Sequence, residues 1–386
     1  MHIHGGGGRD FQEGEEEAFR VACAAHAKYG TTSIYPTLSS STIPMIEKAV
    51  ATCDKLMAEP NSPILGLHLE GHYLNPSKAG AQVPECIKNP DPNEYIPIVE
   101  NSRCLARWDA APEMPGALQF GKYCAEKGIL PSIAHTAAEY KDVKAAFEAG
   151  FTHVTHFYNA MPGFHNKGEY KYEGTVESVY LMDDMTVEVV ADGIHVPPTI
   201  MRMCYKIKGV ERMALITDAL AVAAAGGDAQ AFDPRVIIED GVCKLSDRSA
   251  LAGSIATMDV LVQNMVKAGV ALEDTLRMAS ETPARLMNVY DRKGTLEKGK
   301  DADILIIDAK QMSGEPEYLE PSLDAAERLG VDKEKIRRYV TENPQEQYYI
   351  ARKNLPYQEK RQFEKEVKEG IASETDLLEK AVEKAK

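Results

Sequence analysis

The chain has 386 residues, 44% hydrophobic and 27% charged, with a formal net charge of -15 at pH 7. That length and composition belong to a globular protein with a sizeable core, either two average domains or one large α/β barrel with additions. The acidic balance excludes nonspecific binding to nucleic acid or to an anionic membrane surface, because the long-range field repels both, but it leaves room for an anionic small substrate held by local donors.

Short apolar or β-branched runs alternate with amphipathic stretches along the chain. The first four expected strands are HIHG (2–5), TTSIYPTL (31–38), PILGLHLEG (63–71) and CLARWDAAP (104–112). The next four are ILPSIAH (129–135), THVTHFYNA (152–160), TVEVVADG (186–193) and MALITDAL (213–220). Helical patterns such as EEEAFRVACAAHAKYG lie between them, and AAEYKDVKAAFEAG closes on a C-cap glycine, Gly150. Eight strands with intervening helices predict an α/β fold, a (β/α)8 TIM-like barrel over residues 1–290. A doubly wound open sheet is the rival. It usually has fewer strands and carries a glycine fingerprint after its first strand, and the GGGG after His4 is too uniform to be one.

Beyond the eighth strand, residues 231–256 read as a hairpin insertion around EDGVCKL, followed by two helices. An isolated strand, DADILIID (301–308), is expected within residues 291–310. Residues 311–386 are rich in Glu and Lys with Pro321, Pro344 and Pro356 as breaks, a charged, helical tail of unassigned role. The seven cysteines are scattered, odd in number and form no CxxC pair, which fits reduced thiols. With no membrane-length apolar run and no signal-peptide pattern, the expected location is the cytoplasm.

The histidines carry the strongest signal. His2, His4, His68, His72, His135, His153, His156 and His195 fall on or just after expected strands, His165 falls in a loop, and His26 sits mid-helix, where a structural role is the simpler reading. In a barrel the C-terminal strand ends converge on one mouth. His2, His4, Glu70, His135 and His156 are therefore candidate metal ligands, with Asp218 at the end of the eighth strand. The alternation in HIH puts both imidazoles on one face of a strand, within reach of one cation. Imidazole plus carboxylate without cysteine suits a divalent metal, zinc first, with iron or manganese as alternatives.

The segments HIHGGGG, GLHLEGHYLNPSKAGAQ, THFYNAMPGFHNK, ADGIHVPP, LITDAL and LAGSIATM occur in that order. Together they resemble the N-acetylglucosamine-6-phosphate deacetylases of the metal-dependent amidohydrolase superfamily. The resemblance implies hydrolysis of the N-acetyl group of an amino-sugar phosphate in amino-sugar catabolism, by a homodimer holding one or two metal ions. It implies that Glu70, His135 and His156 are the principal metal ligands, that His2 and His4 hold a second metal, and that Asp218 is the proton carrier. It places Ala81, Gln82, Asn159, Ala160, Lys167, His195 and the loop Leu251, Ala252 and Gly253 at the substrate.

Some positions depart from that pattern. His72 stands where proline is usual, and is either an extra ligand or a hydrogen-bonded loop residue. Gln82 stands where many members have a histidine that touches the substrate carbonyl. It can donate a hydrogen bond but carries no charge, which shifts polarisation onto the metals. Lys167 replaces an arginine near the phosphate, losing a bidentate fork but keeping the charge. The strands that normally precede the His-x-His are lacking, so the small β-sandwich domain is expected to be largely missing, with residues 291–310 as its remnant. Two alternatives stand beside the deacetylase reading: another amidohydrolase, acting on N-acyl amino acids or cyclic amides, and a truncated barrel acting as a binding protein.

Overall fold

The computed structural model describes residues 1–226 and 230–307. The chain forms two units, Met1–Tyr290 and Asp291–Lys386.

In the first unit, seven strands form one all-parallel sheet: β1 (Thr37–Leu38), β2 (Leu67–Tyr73), β3 (Leu105–Ala110), β4 (Leu130–Ile133), β5 (His153–Val154), β6 (Thr186–Val190) and β7 (Met213–Ile216). Each pairs with its neighbour in sequence, with helices as the connections. The sheet is curled. Arg107 on β3 and Glu188 on β6 are three places apart in the strand order, yet their side chains are 2.5 and 2.8 Å apart. A flat sheet with strands about 4.8 Å apart could not bring them together.

The expected first strand, residues 2–5, is not a ladder strand. Residues 2–4 run extended between the two edges of the sheet: the Thr37 N–H donates to the Ile3 carbonyl (2.9 Å), the Asp218 N–H to that of His2 (3.2 Å), and the His4 N–H to that of Ala219 (2.9 Å). One segment thus binds both edges at the C-terminal rim. Ile3 is buried in the apolar core while His2 and His4 face the rim, as the alternation in HIH requires.

The glycine run that follows is an ordered hairpin, Gly5–Gly6 against Arg9–Asp10. Its tip, Gly7 and Gly8, has φ of +62° and +88°, the left-handed pair that a two-residue turn needs. A Cβ on Gly5 would lie 2.3 Å from the Arg9 carbonyl oxygen, so this position tolerates no side chain.

Elsewhere the strands are shorter than the sequence suggests, chiefly at their C-terminal ends. The run 152–160 yields only His153–Val154, because His156, Tyr158 and Ala160 adopt left-handed backbone (φ +27°, +81° and +52°) and break the ladder. The hairpin is present as Val236–Glu239 paired with Val242–Leu245, and helices at Met258–Lys267, Leu272–Ala279 and Glu281–Leu286 follow it.

In the second unit only residues 291–307 are described, and over them the expected strand at 301–308 is not formed. Ile304, Leu305 and Ile306 are exposed. Ion pairs hold this segment instead, Lys293 with Asp301 and Asp303, and Arg292 with Asp301. A strand requires a partner ladder, and none is present beside it among the described residues. The tail at 311–386 lies outside the described residues. No helix among the described residues is long and apolar enough to cross a membrane.

The helix Ala117–Glu126 meets the sheet through Gly121, whose Cβ position lies 2.0 Å from the Phe151 ring. Alanine is worth up to ~1 kcal/mol over glycine in a helix interior, but overpacking a core costs about 1–3 kcal/mol. Gly121→Ala should therefore lower stability rather than raise it, read as a fall in the denaturation midpoint.

Candidate metal centre

Glu70, near the middle of β2, projects its carboxylate to the centre of the rim and is almost wholly buried. Its Oε1 lies 3.0 Å from His135 Nε2 and 2.8 Å from His156 Nε2. Its Oε2 lies 3.2 Å from His4 Nε2 and 3.7 Å from His2 Nε2. Two trios that could each hold a metal ion therefore share this one carboxylate: Glu70 with His135 and His156, and Glu70 with His2 and His4. Asp218 Oδ1 sits at the second trio, 3.1 Å from His4 Nε2 and 3.4 Å from His2 Nε2.

The backbone is bent to make this convergence. His135, His156 and Asp218 follow strands β4, β5 and β7 with φ of +43°, +27° and +49°. Non-glycine residues held there cost about 1–3 kcal/mol each, and such strain gathers where function requires it.

The donor set fits a cation. His135 Nδ1 is 2.8 Å from the Lys78 carbonyl oxygen, and His2 Nδ1 is 2.8 Å from Glu188 Oε1. Both partners only accept, so each neutral ring carries its proton on Nδ1 and turns a bare Nε2 inward. Nε2 of His135 then lies 3.1 Å from Nε2 of His156, and Nε2 of His2 lies 3.2 Å from Nε2 of His4. Lone pairs that close, around a carboxylate, need a positive charge between them. Without a metal, protons answer the need. Burial disfavours the His4 imidazolium, but hydrogen bonds to Asp218 and Glu70 and their charges outweigh it and raise the pKa to about 10. Burial likewise opposes ionisation of Glu70, yet hydrogen bonds from His135, His156 and His2 hold it well below the ordinary carboxylate range.

The other expected site residues surround this centre unequally. Gln82 is buried, its Oε1 accepting the Ser40 N–H (2.7 Å) and its Nε2 3.5 Å from His135 Nε2. The Ala81 and Gln82 carbonyls are held by Arg235 at 2.8 and 3.4 Å. His195 is fixed through Nδ1 to Asp192 Oδ2 at 2.6 Å. The Leu251–Ala252–Gly253 loop is stitched to the Asp218 strand end, the Ser254 N–H donating to the Asp218 carbonyl at 2.7 Å. Asn159 and Ala160 directly follow His156, and the Asn159 side chain caps the His156 carbonyl (3.1 Å). Lys167 is half exposed and ion-paired with Glu139.

His72 is neither ligand nor hydrogen-bonded. It is fully buried, its ring nitrogens make no hydrogen bond among the described residues, Nε2 lies 3.9 Å from Glu94 Oε2, and burial pushes its pKa down to about 3. His26 is a buried structural residue whose Nε2 lies 2.9 Å from the Gly5 carbonyl oxygen, bracing the glycine hairpin.

Three supports were not anticipated from sequence. Glu188 backs His2. Arg107 binds Glu188 and Thr155. Glu113 ties the ends of β2 and β4 together through Asn75, Thr136 and the Ala137 N–H. For Glu188 and Arg107 the available signal was a charged residue inside an apolar strand run, as in TVEVV and LARWDA; Glu113, in a turn, carried none.

A curled parallel α/β sheet with imidazoles and a carboxylate gathered at its C-terminal rim defines a metal-dependent hydrolase scaffold. Residues 1–334 match the amidohydrolase family. Over 317 residues the chain is 31% identical to an N-acetylglucosamine-6-phosphate deacetylase of Lysinibacillus sphaericus, covering 80% of this chain and 79% of that protein. Over 314 residues it is 31% identical to an N-acetylgalactosamine-6-phosphate deacetylase of Escherichia coli O157:H7, covering 80% and 81%. The crystal structure of N-acetylglucosamine-6-phosphate deacetylase from Pasteurella multocida matches with a TM-score of 0.73 at 32% identity, covering 78% and 79%. The chain belongs to the amidohydrolase family.

Because Glu70 is common to both trios, Glu70→Ala should remove metal from both, whereas His135→Ala should remove it from one. Metal content after equilibration with zinc checks this; a Glu70→Ala chain with undiminished metal would contradict the shared-carboxylate geometry.

Proposed function

We propose that this chain hydrolyses the N-acetyl group of N-acetylglucosamine 6-phosphate to glucosamine 6-phosphate and acetate, with zinc as its metal, in the cytoplasm and as a homodimer. The observation that carries the reading is the ionised Asp218 held against a cation-shaped cluster of Glu70, His2, His4, His135 and His156. The names of the relatives supply the substrate class, and they favour neither a different amidohydrolase nor a non-catalytic barrel.

A divalent cation held by Glu70, His135 and His156, or by Glu70, His2 and His4, would supply acidified water and polarisation of the acetamide carbonyl. Asp218 accepts the proton as water adds to the carbonyl carbon, then returns it to the amino nitrogen as the C–N bond breaks, because an amine anion is not a viable leaving group. Burial opposes the charge of Asp218, yet His2 and His4 hold its pKa below the ordinary range, which keeps it in the accepting form. Gln82 has its oxygen committed to Ser40, so it offers the carbonyl only its amide N–H. His195, held at Nδ1 by Asp192, offers Nε2 to the sugar. Asn159, the Ala160 N–H and Lys167 meet the phosphate, for which Lys167 must exchange Glu139 as its partner. Leu251, Ala252, Gly253 and Ala81 form the wall over the sugar.

Asp218→Asn should lower kcat by about 10²–10⁴-fold, the range for loss of a general acid–base group, while metal content stays at the wild-type level. Acetate release checks the first and metal analysis the second. Acetate release should also be compared for N-acetylglucosamine with and without the 6-phosphate and for the galactosamine epimer, since relatives named for both sugars are equally similar. Equal kcat/KM with and without phosphate would sink the sugar-phosphate assignment.

A further inference from the structure

Directly beneath the ligands the sheet interior holds charges that hydrolysis leaves without a task. Arg107 and Asp109 on β3, Glu188 on β6, His68 on β2 and His153 on β5 are all fully buried. Arg107 grips Glu188 through bonds of 2.5 and 2.8 Å and reaches Asp109 at 3.2 Å. Ser132 and Thr155 fix the guanidinium at 3.1 and 2.6 Å. Buried ion pairs add little net stability, because desolvation offsets their attraction, and their better attested use is to specify geometry.

Glu188 also meets His153 Nε2 through Oε2 (3.4 Å) and the His156 backbone N–H through Oε1 (3.4 Å), and its one short contact with a ligand ring is to His2, whose Nδ1 lies 2.8 Å from Oε1. We propose that Glu188, clamped by Arg107, is a positioning residue that fixes the ring and tautomer of His2 and so makes the His2–His4–Glu70 trio a cation site. The inference rests on the reading that this trio takes a divalent cation.

The reasoning is chemical. A carboxylate bidentate to a guanidinium is ionised and can only accept, so the proton between it and His2 belongs to Nδ1. Nε2, the atom facing Glu70 and Asp218, is then bare. Arg107 engages both oxygens of Glu188, so the carboxylate cannot rotate away from His2. The first trio is backed differently, His135 leaning on the neutral carbonyl of Lys78. A charged acceptor behind an imidazole raises its basicity as a ligand, and losing such support typically weakens metal binding. The two trios therefore differ in what holds their rings: Glu188 backs a ring nitrogen only in the second, its contact with the first being a long bond to the His156 backbone, so its loss should fall chiefly on the second.

The test uses the full chain and zinc as the probe. Wild type should bind two zinc ions per chain. Glu188→Gln should weaken the second by roughly 10–100-fold and leave the first unchanged, since Glu70, His135 and His156 remain. Glu188→Gln strips Arg107 of a partner and can impair folding. The double variant Arg107→Gln/Glu188→Gln removes both charges together and should show the same selective loss. A tautomer measurement adds a readout that a merely structural role would not move. In zinc-loaded protein carrying 15N-histidine, the His2 ring, assigned with His2→Gln, should be protonated at Nδ1. A proton on Nε2 would overturn the proposal, as would wild-type affinity for the second zinc in a folded single or double variant. One zinc per wild-type chain with His2 protonated at Nδ1 would refute the two-cation reading while upholding the hold of Glu188 on the ring.

Discussion

Glu70 is a single buried carboxylate on which four imidazole nitrogens converge within 3.7 Å. Most of the rim follows from the need to satisfy it. Bare ring nitrogens around one anion leave a net demand for positive charge, which protons or a metal can meet. The two compete for the same lone pairs, so metal loading releases protons and ligation is inseparable from the protonation of the site. The left-handed turns at His135, His156 and Asp218 are consequences of the same demand, since a strand running on in regular geometry would carry its side chain past the centre.

The N-terminal segment shows how closely fold and chemistry are joined. Residues 2–4 bind both edges of the curled sheet and supply two of the four imidazoles. Their hold does not come from a ladder. It comes from a few backbone bonds to Thr37, Asp218 and Ala219, from Ile3 in the core, and from the glycine hairpin that His26 braces. Closure of the sheet and assembly of the second trio are therefore one event: displacing this segment opens the rim and removes its ligands together.

The convergence of the candidate ligands was legible in sequence because it follows two simple rules, alternation along extended chain and the gathering of parallel strands at one rim. IAH and VTH place a donor just past a strand, HLE places one within a strand and HIH alternates two about Ile3, and the structure brings these side chains together. Residues that act by backing another residue were not legible. Glu188 sits two places before the end of β6, and only the curl of the sheet brings it behind His2, 186 positions away in sequence. Glu113 is similar, since its value lies in bridging two rim loops. The strand expected at 301–308 failed for the complementary reason. Its composition favours a strand, but strand formation is a property of pairs, and no paired neighbour is present among the described residues.

On the deacetylase reading the departures at Gln82 and Lys167 concern the groups that would meet substrate, and they act in one direction. Gln82 is locked by Ser40 as a neutral donor, so it adds no charge to the carbonyl it would face. Lys167 already has an anionic partner in Glu139, so a phosphate gains only the difference between the two. On the deacetylase reading both changes weaken what side chains contribute to activation and recognition. The liganding set is undiminished, and it includes a second trio with its own charged support in Glu188 and Arg107. On that reading activation of the acetamide would fall on the cation or cations held there, and the positioning of His2 and His4 would bear directly on turnover. That dependence would explain why the interior of the sheet carries a costly network of buried charge beneath those two ligands, where apolar packing would have served stability as well.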